Sequence, residues 1–172
     1  SEDFYSPGKR TGLRPDRATI VYANRAREAF GSEIPIVIGG LEASLRRFAH
    51  YDYWDDRVRR SVLVDSGADI LVYGMGETAS REIARRLKKK IPVSEMRDIR
   101  GTAILTHSPD DCAFDSVTLP SFADVCDSRR FYADATRLEY AEHDPVRGRA
   151  LIQEHDGRYL IVNPPAMPLE TK

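Results

Sequence analysis

Twice in a short span, a β-branched run stops at glycine and gives way to a helical pattern. IPIVIGG covers residues 34–40 and ADILVYGMGE covers residues 68–77. A short, continuous apolar run bounded by Pro35 and paired glycines reads as a strand buried on both faces. Glycine at its end permits a sharp turn into the next element. After the first run, Leu41, Leu45 and Phe48 recur at helical spacing, and Val58 and Val62 do so again. After the second, Ala79, Ile83 and Leu87 mark one face of a helix over residues 77–90, whose acidic start and triple-lysine end suit the helix dipole. Strand, glycine turn and helix, repeated, is the alternation of a parallel α/β sheet.

The flanking segments fill in the architecture. Thr19, Tyr22, Ala23, Ala26 and Phe30 predict a helix that starts near Pro15 and Asp16 and ends at Gly31. A short strand over residues 102–106 is expected to complete the edge of the sheet. Ser121 with Asp124 forms a capping-box pattern, and Phe122, Val125, Phe131, Ala135 and Leu138 extend one long helix up to Pro145. Asp156-Gly157 between two β-prone runs signals a hairpin. NPPAMPLETK is a proline-rich exit. The expectation is a partial α/β unit over residues 1–110 and a helical connector with its hairpin, a separate layer, over residues 111–172.

Composition narrows the function. The 172 residues carry a net charge of −1 with a pI near 6.4, so no global field draws the chain to nucleic acid or an anionic membrane. Cys112 and Cys126 are too few for a disulfide framework and lack CxxC spacing, which fits a reducing cytoplasm. No apolar run is long enough for a membrane span, and the start is polar without a signal-peptide core.

Ligands of a parallel α/β sheet bind beyond the carboxyl ends of its strands. Gly39 and Gly40, and Gly74, Met75 and Gly76 with Glu77 after them, should be neighbours on that edge, either to admit a ligand or only to make tight turns. Neither corner fits GxGxxG or a P-loop. His107, Asp110, Asp111, Cys112 and the distant Cys126 mix hard and soft donors that specify no one metal. His50, among aromatics, reads as a stacked or capped surface histidine. The segment RRFAHYDYWDDRVRR, residues 46–60, sets Arg46, Arg47, Arg57, Arg59 and Arg60 beside Tyr51, Tyr53 and Trp54, a combination that can pair phosphates and stack bases. Asp52, Asp55 and Asp56 oppose that field. A self-contained ion network, or a protein interface anchored by Tyr53, Trp54 and Arg57, is the better account, with a non-catalytic RNA- or protein-binding module as the alternative.

The uninterrupted stretch from Ile34 to Glu77, with RPDRATIVYANRAREAF before it and YLIVNPPAMPL after it, resembles the N-terminal region of the YgiQ-type radical SAM proteins. The resemblance extends over essentially the whole chain. It implies a flavodoxin-like, cobalamin-binding-like domain whose GG and GxGE corners, here Gly39-Gly40 and Gly74-Met75-Gly76-Glu77, line the ligand edge. It also implies a full-length enzyme that binds a [4Fe-4S] cluster and S-adenosylmethionine and cleaves the latter reductively. Cobalamin is a further cofactor that such a domain admits. The cluster signature CxxxCxxC is absent from the chain and is expected beyond Lys172; the first strands, with a DxHxxG segment, are expected before Ser1. The chain is then an accessory fragment, inactive alone, whose partner is its own radical SAM core, and an exposed sheet edge left by the cut would favour pairing with a second copy.

Overall fold

A computed structural model describes residues 2–4 and 6–169. Its centre is a six-stranded sheet of β1 (Val37–Ile38), β4 (Ile70–Val72), β5 (Thr102–Thr106), β8 (Arg158–Val162), β7 (Ala150–His155) and β6 (Ser116–Thr118), in that spatial order. A small antiparallel pair, β2 (His50–Asp52) and β3 (Arg57–Arg59), stands apart from it. The helices are α1 (Ala18–Phe30), α2 (Gly40–Leu45), α3 (Val62–Ser66), α4 (Glu77–Lys88), α5 (Phe122–Asp127) and α6 (Arg129–Ala141). The class is α/β, as expected, and it is compatible with a flavodoxin-like domain.

Strand directions are mixed: β1–β4 and β6–β7 are parallel, while β4–β5, β5–β8 and β7–β8 are antiparallel. Two cores flank the sheet. One gathers Ala23, Ala43 and Leu63 of α1, α2 and α3 over Leu71, Ala103 and Leu160; the other gathers Ala79 and Ile83 of α4 over Ile70, Val72, Ile104 and Ile161. Alternation along each strand produces this division, since Ile70 and Leu71 point to opposite faces.

Several expectations are corrected. The run at residues 34–40 is not buried on both faces: β1 is an edge strand, with Ile38 buried and Val37 exposed. The strand at residues 102–106 is interior, between β4 and β8. Val58 lies in a strand, because Tyr51 and Val58 pair across a hairpin turn that puts Asp56 at positive φ. The helix begun by Leu41 stops at Leu45. The helix expected from Ser121 to Pro145 breaks at Ser128, which adopts an extended backbone and caps α6 with its hydroxyl. The hairpin is no separate layer, since β8 pairs with β5 along four residues and carries the sheet across residue 110.

The proline-rich exit is anchored where it leaves β8. The Asn163 side-chain amide donates to the carbonyls of Arg97 and Ile99 and to the Thr102 hydroxyl, and Gly101 N–H donates to the Pro164 carbonyl at 2.8 Å. Residues 170–172 of that exit lie outside the described residues. The helix expected over residues 77–90 forms and ends at Lys88, with Lys90 at positive φ, and the Ser121–Asp124 capping box and the Asp156-Gly157 turn, with φ of 52° and 81°, are as the sequence predicts.

One polar pin holds the small hairpin to the sheet. Gln153 is fully buried on β7; its amide oxygen accepts from Ala49 N–H at 2.9 Å and its nitrogen donates to the Pro120 carbonyl at 3.1 Å. Its oxygen is therefore the group that faces His155, and His155 Nε2 must donate to it at 3.1 Å. His155 is fully buried, stacks on Phe122 and leaves Nδ1 without a partner. Burial pushes its pKa down to about 4. The unfolded histidine protonates near 6.5, so the stability it confers is lost as pH falls from there toward 4. The stability advantage of the wild type over His155→Leu, measured by urea unfolding, is expected to shrink by about 2 kcal/mol between pH 7 and pH 4.5.

Candidate functional site

β1 and β4 run parallel, and β4 and β8 both run antiparallel to β5, so the carboxyl ends of β1, β4 and β8 share one edge of the sheet. Both glycine corners lie there. Ser44 of α2 ties them together: its hydroxyl donates to the Gly40 carbonyl at 2.8 Å and accepts from Gly74 N–H at 3.2 Å. The four glycines divide by physical cause. Gly39 and Gly76 pack on β4, where an added Cβ would sit 3.3 Å from the Val72 carbonyl oxygen and 2.9 Å from Val72 Cγ1 respectively. Gly40 and Gly74 have φ of +85° and +65°, which strains any side-chain-bearing residue, and an added Cβ there would meet open space. Glu77 opens α4 and is exposed beside Gly76. The corners thus present backbone groups, one hydroxyl, one carboxylate and the exposed thioether of Met75, a set suited chiefly to hydrogen-bonding a polar small molecule.

Behind the corners stands a half-buried cation. Arg47 lies over the rings of Tyr73 and Phe48, 4.8 and 5.0 Å from their centroids, and donates to the Ser44 carbonyl at 2.5 Å. Its Nε is buried without a partner, and burial lowers its pKa. Glu139 of α6 shares this environment; burial pushes its carboxyl up to about 7 against the pull of Arg47. Tyr73 donates to the Asn163 carbonyl at 2.5 Å, and burial pushes its own pKa up to about 12. Tyr73 thereby joins the Gly74 corner to the departure of the chain from β8. Ser44, Arg47, Tyr73 and Glu139 were not singled out by the sequence as a group. Their only signal was proximity to the corners, and the contribution of Glu139 from α6 had none.

The charged aromatic segment is an ion network. Asp52, 3% exposed, accepts from Arg17 at 2.7 Å and from the backbone N–H groups of Trp54 and Asp55. The Arg17 hydrogen bond holds the Asp52 carboxyl at about 2. Asp55 binds Arg17 at 2.6 Å and Arg59 at 2.8 Å. Arg59 also reaches Asp65, and Arg60 links Asp65 to Asp156 in the β7–β8 turn. Arg46 pairs with Glu42, and Asp56 accepts from the Tyr51 hydroxyl. Most of the positive charge that could meet a phosphate is already engaged. Tyr53 and Trp54, at the tip of the β2–β3 turn, are 78% and 84% exposed and meet edge to face at 5.7 Å. Arg57 beside them is exposed apart from a 3.3 Å contact to Asp55.

The candidate metal residues do not converge. Among the described residues no cluster of three or more His, Cys, Asp or Glu side chains is placed to hold a metal ion. Asp111 pairs with Arg97, Cys112 donates to the Phe114 carbonyl, and Cys126 sits exposed on α5. His50 is half-buried and donates to the Phe48 carbonyl at 3.1 Å. A [4Fe-4S] cluster, which needs three closely spaced thiolates, does not fit these residues. No helix among the described residues is long and apolar enough to cross a membrane.

A family described as radical SAM N-terminal matches residues 1–172. The chain belongs to that family. A UPF0313 protein of Clostridium perfringens (strain SM101 / Type A) is 53% identical to it over 168 residues, covering 98% of this chain and 25% of the relative. A UPF0313 protein of Clostridium botulinum (strain ATCC 19397 / Type A) is 48% identical over 168 residues, 98% of this chain and 26% of the relative. This radical SAM N-terminal chain therefore spans about a quarter of the length of the curated relatives it matches. No solved structure matches it.

For the radical SAM N-terminal chain, substitution separates the two kinds of glycine. Gly76→Ala forces Val72, itself 6% exposed, to shift and is expected to cost about 2 kcal/mol by overpacking. Gly40→Ala is expected to cost about 1 kcal/mol from the strained φ alone. Urea unfolding of both variants measures the order.

Proposed function

We propose that residues 1–172 form the accessory α/β unit of a radical SAM enzyme. The glycine-corner edge faces the catalytic part, and Tyr53, Trp54 and Arg57 contact it. The observation that carries this reading is the coincidence, at one sheet edge, of both corners with the start of the segment after β8, fixed by the Tyr73–Asn163 hydrogen bond at 2.5 Å. The segment that follows β8 leaves the sheet from that side at Asn163 and Pro164. The [4Fe-4S] cluster and S-adenosylmethionine belong to the remainder of the protein, since the residues here do not fit the cluster. The task of this unit is positional: Gly39, Gly40, Gly74, Gly76 and Glu77 form a polar rim against substrate or cofactor, and Arg47 with Tyr73 holds that rim in place. Cytoplasmic residence accords with this chemistry and with the two free cysteines.

A protein partner is preferred to RNA. Arg59 and Arg60 are committed to Asp55, Asp65 and Asp156, and what remains at the turn is an exposed aromatic pair of the kind that anchors protein interfaces.

Anaerobically reconstituted full-length protein is expected to bind iron and sulfide and, when reduced, to form 5′-deoxyadenosine from S-adenosylmethionine; lack of both would overturn the enzyme assignment. Hydroxyl-radical footprinting of the same protein tests the contact separately. Trp54 is expected to react far more slowly than a freely exposed tryptophan, and reaction at the free rate would remove it from the interface.

A further inference from the structure

α4 covers the face of the sheet opposite α1, α2 and α3, and its outer side is strongly basic. Residues 81–90 carry six cations, Arg81, Arg85, Arg86, Lys88, Lys89 and Lys90, against one acid, Glu82. The whole chain has a net charge of −1, so all its other residues together are acidic. Ion pairing accounts for only part of this local charge. Glu82 binds Arg85 at 2.6 Å and Arg86 at 2.7 Å, and Arg86 also reaches Asp98. Arg81, Lys88, Lys89 and Lys90 are exposed and, among the described residues, make no ion pair. The helix dipole favours lysines at the C-terminal end of α4, yet it gives no reason for Arg81, one turn in from the N-terminus. Arg81, Arg85 and Lys88 follow one another at spacings of four and three and line a shallow groove with Thr78 and Ala84; Lys89 continues the row four residues after Arg85.

What surrounds these cations selects their partner. No large apolar side chain from Glu77 to Lys90 is exposed, and Ala79 and Ile83 are buried against the sheet at 1% and 3% exposure. Protein interfaces have an apolar or aromatic centre and are poor in lysine. A helix that lies on a membrane needs a free apolar face. Single-stranded nucleic acid is held by stacking on exposed aromatic rings, and the stripe has none. The backbone of a duplex asks only for cations opposite its phosphates. From Arg81 to Lys88 the row runs about 10 Å at about 1.5 Å per residue, a length over which one strand of a duplex presents about three phosphates. We propose that the outer side of α4, through Arg81, Arg85, Lys88 and Lys89, docks on the phosphate backbone of a nucleic-acid duplex. The stripe runs away from the glycine corner at Gly76 that precedes the helix, so this contact goes beyond the accessory role proposed above and does not depend on it.

Fluorescence anisotropy of labelled, mixed-sequence RNA and DNA duplexes titrated with full-length protein tests it. Binding to a duplex is expected to weaken about a hundredfold between about 50 and about 200 mM salt, the dependence that about four phosphate contacts produce. Arg81→Gln combined with Lys88→Gln and Lys89→Gln removes three exposed side chains that hold no ion pair, so the variant is expected to keep the wild-type circular dichroism. It should lower the slope of log affinity against log salt by about three. Absence of binding to both duplexes at about 50 mM salt, or an unchanged slope in the triple variant, would overturn the proposal. Binding lost instead with Trp54→Ala and Arg57→Gln would also overturn it and move the contact to the β2–β3 turn. Equally tight binding to phosphatidylserine vesicles or to polyglutamate would do the same, in favour of a membrane surface or an acidic protein.

Discussion

A carboxylate that is almost out of water sets the terms for the front half of this molecule. Asp52 closes the β2 strand with a side chain 3% exposed, and its turn supplies only the N–H groups of Trp54 and Asp55 to one of its oxygens. The other oxygen needs a cation, since leaving a buried charge uncompensated costs several kcal/mol, about 3 or more. Arg17 meets that demand from the residue preceding α1. This fixes where α1 begins relative to the hairpin. Through Asp55 and Arg59 the same network reaches Asp65 in α3, and through Arg60 it reaches Asp156 in the β7–β8 turn. A run of alternating charges that looks like a nucleic-acid surface in one dimension is, in three, the fastening between the hairpin, the helical layer and the far end of the sheet.

The consequence is that the tip of the segment is aromatic surface with little uncompensated charge. Trp54 and Tyr53 sit outside because the network beneath them is complete without them. The glycine corners show a comparable economy. Gly39 and Gly76 are used in packing against Val72, while Gly40 and Gly74 turn the chain away from the sheet and leave open space before them. Ser44 and Arg47, both near the end of α2, hold this edge, and Tyr73 joins it to the strand that ends in Asn163.

Much of this was legible in the sequence where one physical cause acts locally. The amphipathic period of α4, the Ser121–Asp124 capping box and the positive φ of Asp156-Gly157 each depend on a few adjacent residues, and each is present. The α/β class came from the repeated strand and glycine pattern. The features that failed to show were settled at a distance. A two-residue strand such as β1 is too short for its pattern to tell edge from interior. Val58 fits a helical period by spacing, but the Asp52 carboxylate and the turn at Asp56 place it in a strand. Ser128 breaks a continuous apolar period because its hydroxyl caps a new helix. Gln153, the polar pin of the core, gave no signal, since its partners Ala49 and Pro120 lie far away in sequence. The glycine corners were found by composition, and the Arg47, Tyr73 and Glu139 group behind them only by the fold.

At the centre of this account, the charged segment is a structural network nucleated by Asp52. A double-mutant cycle on Arg17→Gln and Asp52→Asn, read by urea unfolding at pH 7 and low and high salt, tests it most directly. The account predicts a coupling energy of about 2 kcal/mol that survives added salt, as befits a pair with one member buried. Additive effects, or a coupling that vanishes in salt, would contradict it and return the segment to the status of an ordinary solvated surface.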